Sequence, residues 1–244
     1  MIENAIILAA GLGTRLKPIT DNAPKCLTEV NGIPILKNML KSLSECGIKH
    51  CWIVTGYRAE KIVEYVDNNS YDINVNYLHN EIYEKTNDMY SLWIARKELK
   101  KGCVLLEGDI FFQTSTLKRA LKHSKSDNKS LYLSGKYNGI PNEVLIKTDK
   151  NLRIQSIEVL RGRSARMSKY SFMSSGILVI NKEYGRNLSN WLDEAVRNGN
   201  INILFDEVIS EHLQEAPIYV FEIGHNEWVE IDTMRDLLRA EKLF

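Results

Sequence analysis

"AIILAAGLGTRLKPITDNAPKCL", residues 5–27, decides how the rest of the chain is read. The run from Ala5 to Ala10 is apolar without alternation, the pattern of a strand covered on both faces in a parallel sheet. It stops at Gly11 and Gly13, and Arg15 and Lys25 follow. Two glycines after a buried strand let the backbone approach a ligand and turn its N–H groups toward an anion. Arg15 suits bidentate contact with phosphate oxygens, and Lys25 acts as a mobile point charge. Ala9 and Ala10 are small enough to leave room for a flat base. Two common nucleotide loops are excluded by spacing. The dinucleotide fingerprint needs a third glycine where this chain has Leu16, and a P-loop needs Lys-Ser/Thr where it has Thr14-Arg15.

Outward from the loop, Pro34 occupies a favoured first helical position. Ile35, Leu36, Met39, Leu40 and Leu43 share one face of that helix, and Gly47 ends it. Strands at 51–56, 73–79 and 103–109 alternate with helices at 59–68, after Asn87 or Asp88, and at 115–124. This rhythm predicts a mostly parallel sheet with helices on both faces. The second half is richer in strands (130–137, 143–148, 153–160, 171–180, 218–223, 227–231). Two helices interrupt it, and a third closes the chain. The expectation is an α/β, Rossmann-like, mostly parallel mixed sheet with a small antiparallel β insertion. It is read as one domain, with a nucleotide-binding half at 1–130, an acceptor-binding half at 131–232 and a C-terminal helix at 233–244.

The 244 residues carry 32 basic and 31 acidic side chains, so the balance excludes the broad basic surface of a nucleic-acid binder. No run approaches the ~20 apolar residues of a membrane span. Cys26, Cys46, Cys51 and Cys103 form no C-x-x-C pair and are expected as reduced thiols. These features predict a cytoplasmic protein, a monomer or homodimer, without membrane insertion.

The stretch "LAAGLGTRLKPITDNAPKCL" resembles the signature of the sugar-phosphate nucleotidyltransferase superfamily over about 20 residues. The resemblance implies a fold related to glycosyltransferase A and a loop that holds a nucleoside triphosphate. Its base would lie on the backbone of Leu8, Ala9, Ala10 and Gly11, and its phosphates along Gly11, Gly13, Thr14 and Arg15. Lys25 would contact the α-phosphate and the acceptor, and Arg15 would neutralise the departing phosphates.

Carboxylates supply the remaining chemistry. Asp109 follows a buried strand, at the sheet edge where open α/β sheets bind ligands. Glu230 and Asp232 share a face of a late strand by the period of two. Mg²⁺ on a triphosphate needs one or two hard carboxylate oxygens, which Asp109 and Asp232 would provide if the fold brings them together. Asp232 is equally suited to cap the closing helix. The resemblance implies a metal aspartate at both positions. Glu107, on the nucleotide side, and Glu230, on the acceptor side, flank them.

"NDMYSL" (87–92) followed by "EGD" (107–109) resembles the small-head-group cytidylyltransferase branch, which includes phosphocholine, aminoethylphosphonate and inositol-phosphate enzymes. The resemblance implies CTP as donor and a small phosphorylated or phosphonylated acceptor, with Asn87 and Ser91 lining the base and ribose pocket. Asn87 is equally a helix cap, and Ser91 equally a surface position. The phosphocholine enzymes carry a tryptophan where this chain has Val144, after Asn142-Glu143, which leaves the acceptor open. Tyr137, Glu143, Phe172, Asp206, Trp228 and Glu230 are candidates for its pocket. "RGRSARMSK" (161–169) reads as a solvated loop, or as a segment closing over an acidic acceptor or pyrophosphate. A uridylyl- or thymidylyltransferase making an NDP-sugar is the alternative function, and a nucleotide-binding regulatory domain without chemistry is a third.

Overall fold

Side chains alternate sides along a strand, so a strand whose apolar residues run without alternation must be covered twice. The computed structural model, which describes residues 2–141 and 143–244, shows this for β1 (Asn4–Ala9). Ala5, Ile7 and Ala9 belong to one hydrophobic cluster, and Ile6 and Leu8 to a second on the opposite face. Each fully buried aliphatic side chain of this kind contributes roughly 1.5–3 kcal/mol.

After β1 come a short hairpin of β2 (Glu29–Val30) and β3 (Ile33–Pro34), then α1 (Ile35–Glu45), β4 (His50–Thr55), α2 (Ala59–Asp67) and β5 (Asn74–His79). Next are α3 (Asp88–Ile94), α4 (Arg96–Leu99), β6 (Cys103–Glu107), β7 (Ile110–Phe112) and α5 (Thr114–Asp127). The second half contains β8 (Leu131–Lys136), β9 (Val144–Thr148), β10 (Ile154–Val159), β11 (Ser171–Ile180), α6 (Lys182–Arg197) and α7 (Phe205–Glu211). It ends with β12 (Tyr219–Glu222), β13 (Trp228–Glu230) and α8 (Met234–Leu243). Helices α1, α2, α5 and α8 pack on one face of the sheet, and α3, α4, α6 and α7 on the other.

The sheet order is β5-β4-β1-β6-β11, with β8 and then β12 beyond. β1 runs parallel to β4 and β6, and β4 parallel to β5. β11 is antiparallel to both β6 and β8. The expected antiparallel insertion is the β9–β10 hairpin, which hangs on the first part of β11. β8 and β12, by contrast, join the main sheet, and β12 lies parallel to β8. Strands of both halves therefore share one nine-stranded sheet.

β11 creates the space the site needs. Along one edge Ser171–Met173 pair with β9, whereas Ile177–Ile180 pair with β6. The ladder with β8 slips between Ser174 and Ile177. Gly176 sits in that break at φ +70°, where a Cβ would stand 3.0 Å from Ile110 and 3.1 Å from Glu107. β6 and β9 thus pair with separate stretches of β11, and Glu107 and Val144 at their ends help line a cavity of about 390 Å³.

Candidate active site

The glycine loop forms one wall of this cavity. Gly13 has left-handed φ (+62°), and a Cβ there would lie 3.1 Å from the side chains of Lys25 and Thr20. Its carbonyl accepts hydrogen bonds from Thr20 Oγ1 (2.8 Å) and the Leu16 amide (3.0 Å), which ties the loop to the chain that follows. Around the Gly11 Cα the space is open, so its backbone is free to meet a ligand. Leu8, Ala9, Ala10 and Thr14 line the cavity beside it.

Lys25 stands at the centre of the charges. Its Nζ lies 2.5 Å from Asp109 Oδ2 and also pairs with Asp232. Arg15 Nη2 is 2.7 Å from Asp232 Oδ2. Burial alone pulls the Lys25 ammonium down, but Asp109 and Asp232 together outweigh it and hold it above its ordinary value. A short ladder brings the two aspartates together. β13 pairs with β7 so that Glu230 faces Ile110, and the Ile231 amide donates to the Asp109 carbonyl at 3.0 Å.

Among the described residues, Glu107, Asp109 and Glu230 present carboxylate oxygens within 4.8 Å of one another. Burial, followed by the charge of Asp109, pushes both glutamates well above the usual carboxylate range. Asp109 Oδ1 is buried without a hydrogen-bond partner. An orphaned carboxylate oxygen among mutually repelling hard-oxygen donors fits a divalent cation such as Mg²⁺. Glu107 and Glu230, read from sequence as flanking the nucleotide and the acceptor, thus belong to the same cluster as Asp109.

Asn87 and Ser91 also line the cavity. Asn87 Oδ1 accepts from the Asp88 amide (2.9 Å), so it caps α3 as well. Ser91 is buried rather than on the surface, and accepts a hydrogen bond from Asn80 Nδ2 at 3.1 Å. Asn80 also donates to Thr86 Oγ1 (3.0 Å). Sequence reasoning missed Asn80, Tyr83 and Thr86 as wall residues. The signal was available for Asn80, which follows the C-terminal end of β5 as Asp109 follows that of β6.

Next to Glu107, whose carboxyl feels the charges of Asp88 and Asp206, a further part of the wall, here the far end, is formed by Asp88, Val144, Val159, Ser174, Leu204 and Asp206. Burial, opposed by the Tyr132 hydroxyl, raises the Asp206 carboxyl to about 6. Burial and then the Asp206 charge hold Asp88 well above its ordinary value. Glu143, half-buried at the mouth, is raised to about 7 by burial and by Asp232 and Asp236. Asp206, Glu143 and Glu230 are thus the acceptor candidates on the wall.

Tyr137, Phe172 and Trp228 are not on it. All three are buried in the core. Tyr137 instead fixes two loops, accepting from the Ala165 amide and donating to the Ile140 carbonyl, both at 3.0 Å. In the basic segment, Arg161 pairs with Glu207 (2.8 Å) and Arg163 with Glu158 (2.5 Å). Asn142 lies outside the described residues. Cys26, Cys51 and Cys103 are buried and Cys46 partly so, all four free. Among the described residues no helix is long and apolar enough to cross a membrane.

Fold and site together define an enzyme that handles activated phosphates. The sequence matches the nucleotidyl transferase family over residues 4–243, and the chain belongs to that family. It is 28% identical to the choline-phosphate cytidylyltransferase of Streptococcus pneumoniae over 240 residues, covering 98% of this chain and 97% of that protein. It is 25% identical to the 2-aminoethylphosphonate cytidylyltransferase of Lancefieldella rimae, covering 96% and 90%. The solved CTP:phosphocholine cytidylyltransferase of Streptococcus pneumoniae superposes with a TM-score of 0.84 at 27% identity, covering 99% of both chains. The chain is therefore a nucleotidyltransferase with cytidylyltransferases among its relatives.

Proposed function

We propose that this enzyme transfers CMP from CTP to a small phosphorylated or phosphonylated head group and releases pyrophosphate, with Mg²⁺ as cofactor. The observation that carries this reading is Lys25 held between Asp109 and Asp232 beside the open Gly11–Gly13 backbone. Its relatives' names supply the donor and the acceptor class.

An oxygen of the acceptor phosphate or phosphonate attacks the α-phosphorus of CTP. A new P–O bond forms as the bond to the bridging α–β oxygen breaks, and that oxygen leaves with pyrophosphate. A phosphate monoester is already largely dianionic near neutral pH, its second pKa being about 6, so no dedicated general base is required. The protein supplies position and charge neutralisation. Lys25 bridges the α-phosphate and the incoming oxygen, and Arg15 neutralises the departing phosphates. Both cations are bound to aspartates in the free enzyme. Phosphates drawing on Lys25 and Arg15 leave Asp109 and Asp232 available, and these two would hold Mg²⁺ with Glu107 and Glu230 beside them. Mg²⁺ there would stabilise charge developing on the phosphate oxygens. Gly11 and Gly13 offer backbone to the donor, and Asn80, Asn87 and Ser91 offer polar groups to its base and ribose.

The test is pyrophosphate release with CTP, UTP, dTTP and ATP, each against phosphocholine, 2-aminoethylphosphonate, phosphoethanolamine, inositol phosphate and glucose 1-phosphate. CTP with one of the first four acceptors is the expected pair. UTP or dTTP with glucose 1-phosphate as the best pair would replace this reading by an NDP-sugar synthase.

A further inference from the structure

The far end of the cavity is acidic, and the phosphate chemistry above makes no use of its charges. Asp206 is 2% exposed, yet it forms part of the cavity wall. A chain of single hydrogens fixes its orientation. The Gly176 amide donates to Ser174 Oγ at 3.0 Å. Tyr132 Oη donates to Asp206 Oδ1 at 2.6 Å, which spends its one hydrogen. The Ser174 hydroxyl, 2.9 Å from Tyr132 Oη, must therefore be the donor of that pair. Asp206 consequently accepts at Oδ1, while Oδ2 takes no hydrogen bond from the described residues. Near it, Asp88 accepts on Oδ1 the amide of Phe205, the residue before Asp206, at 2.9 Å. Neutral donors hold both acids in place, and neither forms an ion pair among the described residues. Their mutual repulsion falls when a cation comes between them.

The remaining wall at this end is aliphatic: Val144, Val159 and Leu204. Among the described lining residues Tyr83 is the one aromatic, and it stands at the other end, against Gly56 and Ala10. This distinguishes two kinds of organic cation. A quaternary ammonium has no N–H and is recognised by aromatic faces. A protonated primary amine has three N–H donors and makes charge-assisted hydrogen bonds to carboxylates.

We propose that the acceptor carries a protonated primary amine bound by Asp206 and Asp88, with its phosphate or phosphonate end directed to Lys25. This rests on the cytidylyltransferase reading of the same cavity. Asp206 and Asp88 then determine specificity, and Tyr132 and Ser174 are positioning residues behind Asp206.

The experiment measures CTP-dependent pyrophosphate release with phosphoethanolamine, phosphocholine, 2-aminoethylphosphonate and 2-hydroxyethylphosphonate. A site built to hydrogen-bond N–H groups rejects analogues lacking them, so kcat/KM should favour each primary amine over its trimethylated or hydroxyl counterpart by at least about tenfold. Asp206→Asn keeps an oxygen for Tyr132, and the amine-over-hydroxyl preference should fall by about tenfold or more with no shift in Mg²⁺ saturation. Phosphocholine used as well as phosphoethanolamine would overturn the inference and leave the cytidylyltransferase reading standing. So would an unchanged preference in Asp206→Asn, or a shifted Mg²⁺ requirement, which would assign Asp206 to the metal. No release with any acceptor would remove both. If the variant does not fold, the wild-type preference is itself the test.

Discussion

The two ends of the cavity are both built on buried or partly buried carboxylates, but they balance them differently. At the loop end Asp109 and Asp232 are matched by Lys25 and Arg15. At the far end Asp88 and Asp206 are held by an amide and a phenol, which orient a carboxylate without cancelling its charge. The pKa shifts of the paired and unpaired groups reflect this, although Glu107 and Glu230 beside Asp109 are raised as well. Lys25 stays charged in spite of burial because two acids surround it, whereas burial drives Asp88 and Asp206 upward with no cation beside them. In the proposed reaction the matched end would exchange its internal ion pairs for a triphosphate and a metal. The unmatched end gains most from a ligand that brings its own positive charge.

Breaking the matched end should have the largest effect. Lys25→Met removes the group proposed to bridge the reacting phosphates and leaves two acids facing each other. Turnover should fall on the order of 10³-fold. Removing the cation from these partly buried pairs should also lower stability, by up to about 3 kcal/mol. Adding Asn at Asp109 should restore part of that stability and none of the activity, as read by denaturant unfolding beside pyrophosphate release. Recovery of activity in the double variant would contradict the roles given to both residues.

Arg15 separates charge for stability from charge for chemistry. Its side chain is 67% exposed, so its pair with Asp232 should contribute under about 1 kcal/mol. Arg15→Ala should nevertheless lower kcat/KM by about 10²-fold, because in the proposed reaction its charge would neutralise the departing pyrophosphate. An activity loss that followed a large drop in melting temperature would turn this residue into a structural one.

The matched end was the more legible in the sequence, and the reason is local. Its glycines, Arg15 and Lys25 fall within one short stretch, and glycine has a restricted set of uses. Continuous apolar runs located β1 and β6, and with β6 the position of Asp109. The meeting of Asp109 with Asp232 was not visible, because it depends on β13 choosing β7 as its partner across most of the chain. The far end depends on such choices throughout. Asp206 and Ser174 reach the wall through α7 and a slip in β11, and a period of two cannot say which face of a strand will be lined. Tyr137, Phe172 and Trp228 have suitable chemistry for an amine pocket but turned to the core for the same reason.

Gly176 tests how far the far end depends on that slip. Gly176→Ala places a Cβ at positive φ and 3.0 Å from Ile110, which should cost about 1–2 kcal/mol. The strain should pass to Glu107, 3.1 Å away, and to Ser174, which the Gly176 amide holds. Activity should fall by about tenfold, well short of the Lys25 effect, since a displaced catalytic geometry is lost by degrees. Calorimetric unfolding with parallel kinetics distinguishes this from a neutral substitution.

The smallest effect is a dependence of stability on pH. In the folded protein Asp206 keeps its proton up to about 6, against 3.8 ordinarily. Between those values the folded state binds more protons than the unfolded chain, so its stability falls as pH rises, by at most about 1.4 kcal/mol per pH unit for one proton. The contribution is complete below the lower value and gone above the upper one. Asp206→Asn removes this segment, so the melting temperature of the variant relative to wild type should climb from about pH 4 to about pH 6 and then level off. An amine acceptor supplies the missing cation to the ionised acid. Its stabilisation of the wild type should therefore be larger at neutral pH than at about pH 5, and that difference should shrink in Asp206→Asn. Equal stabilisation at both pH values would mean that the far end does not carry the unmatched charge that separates it from the loop end.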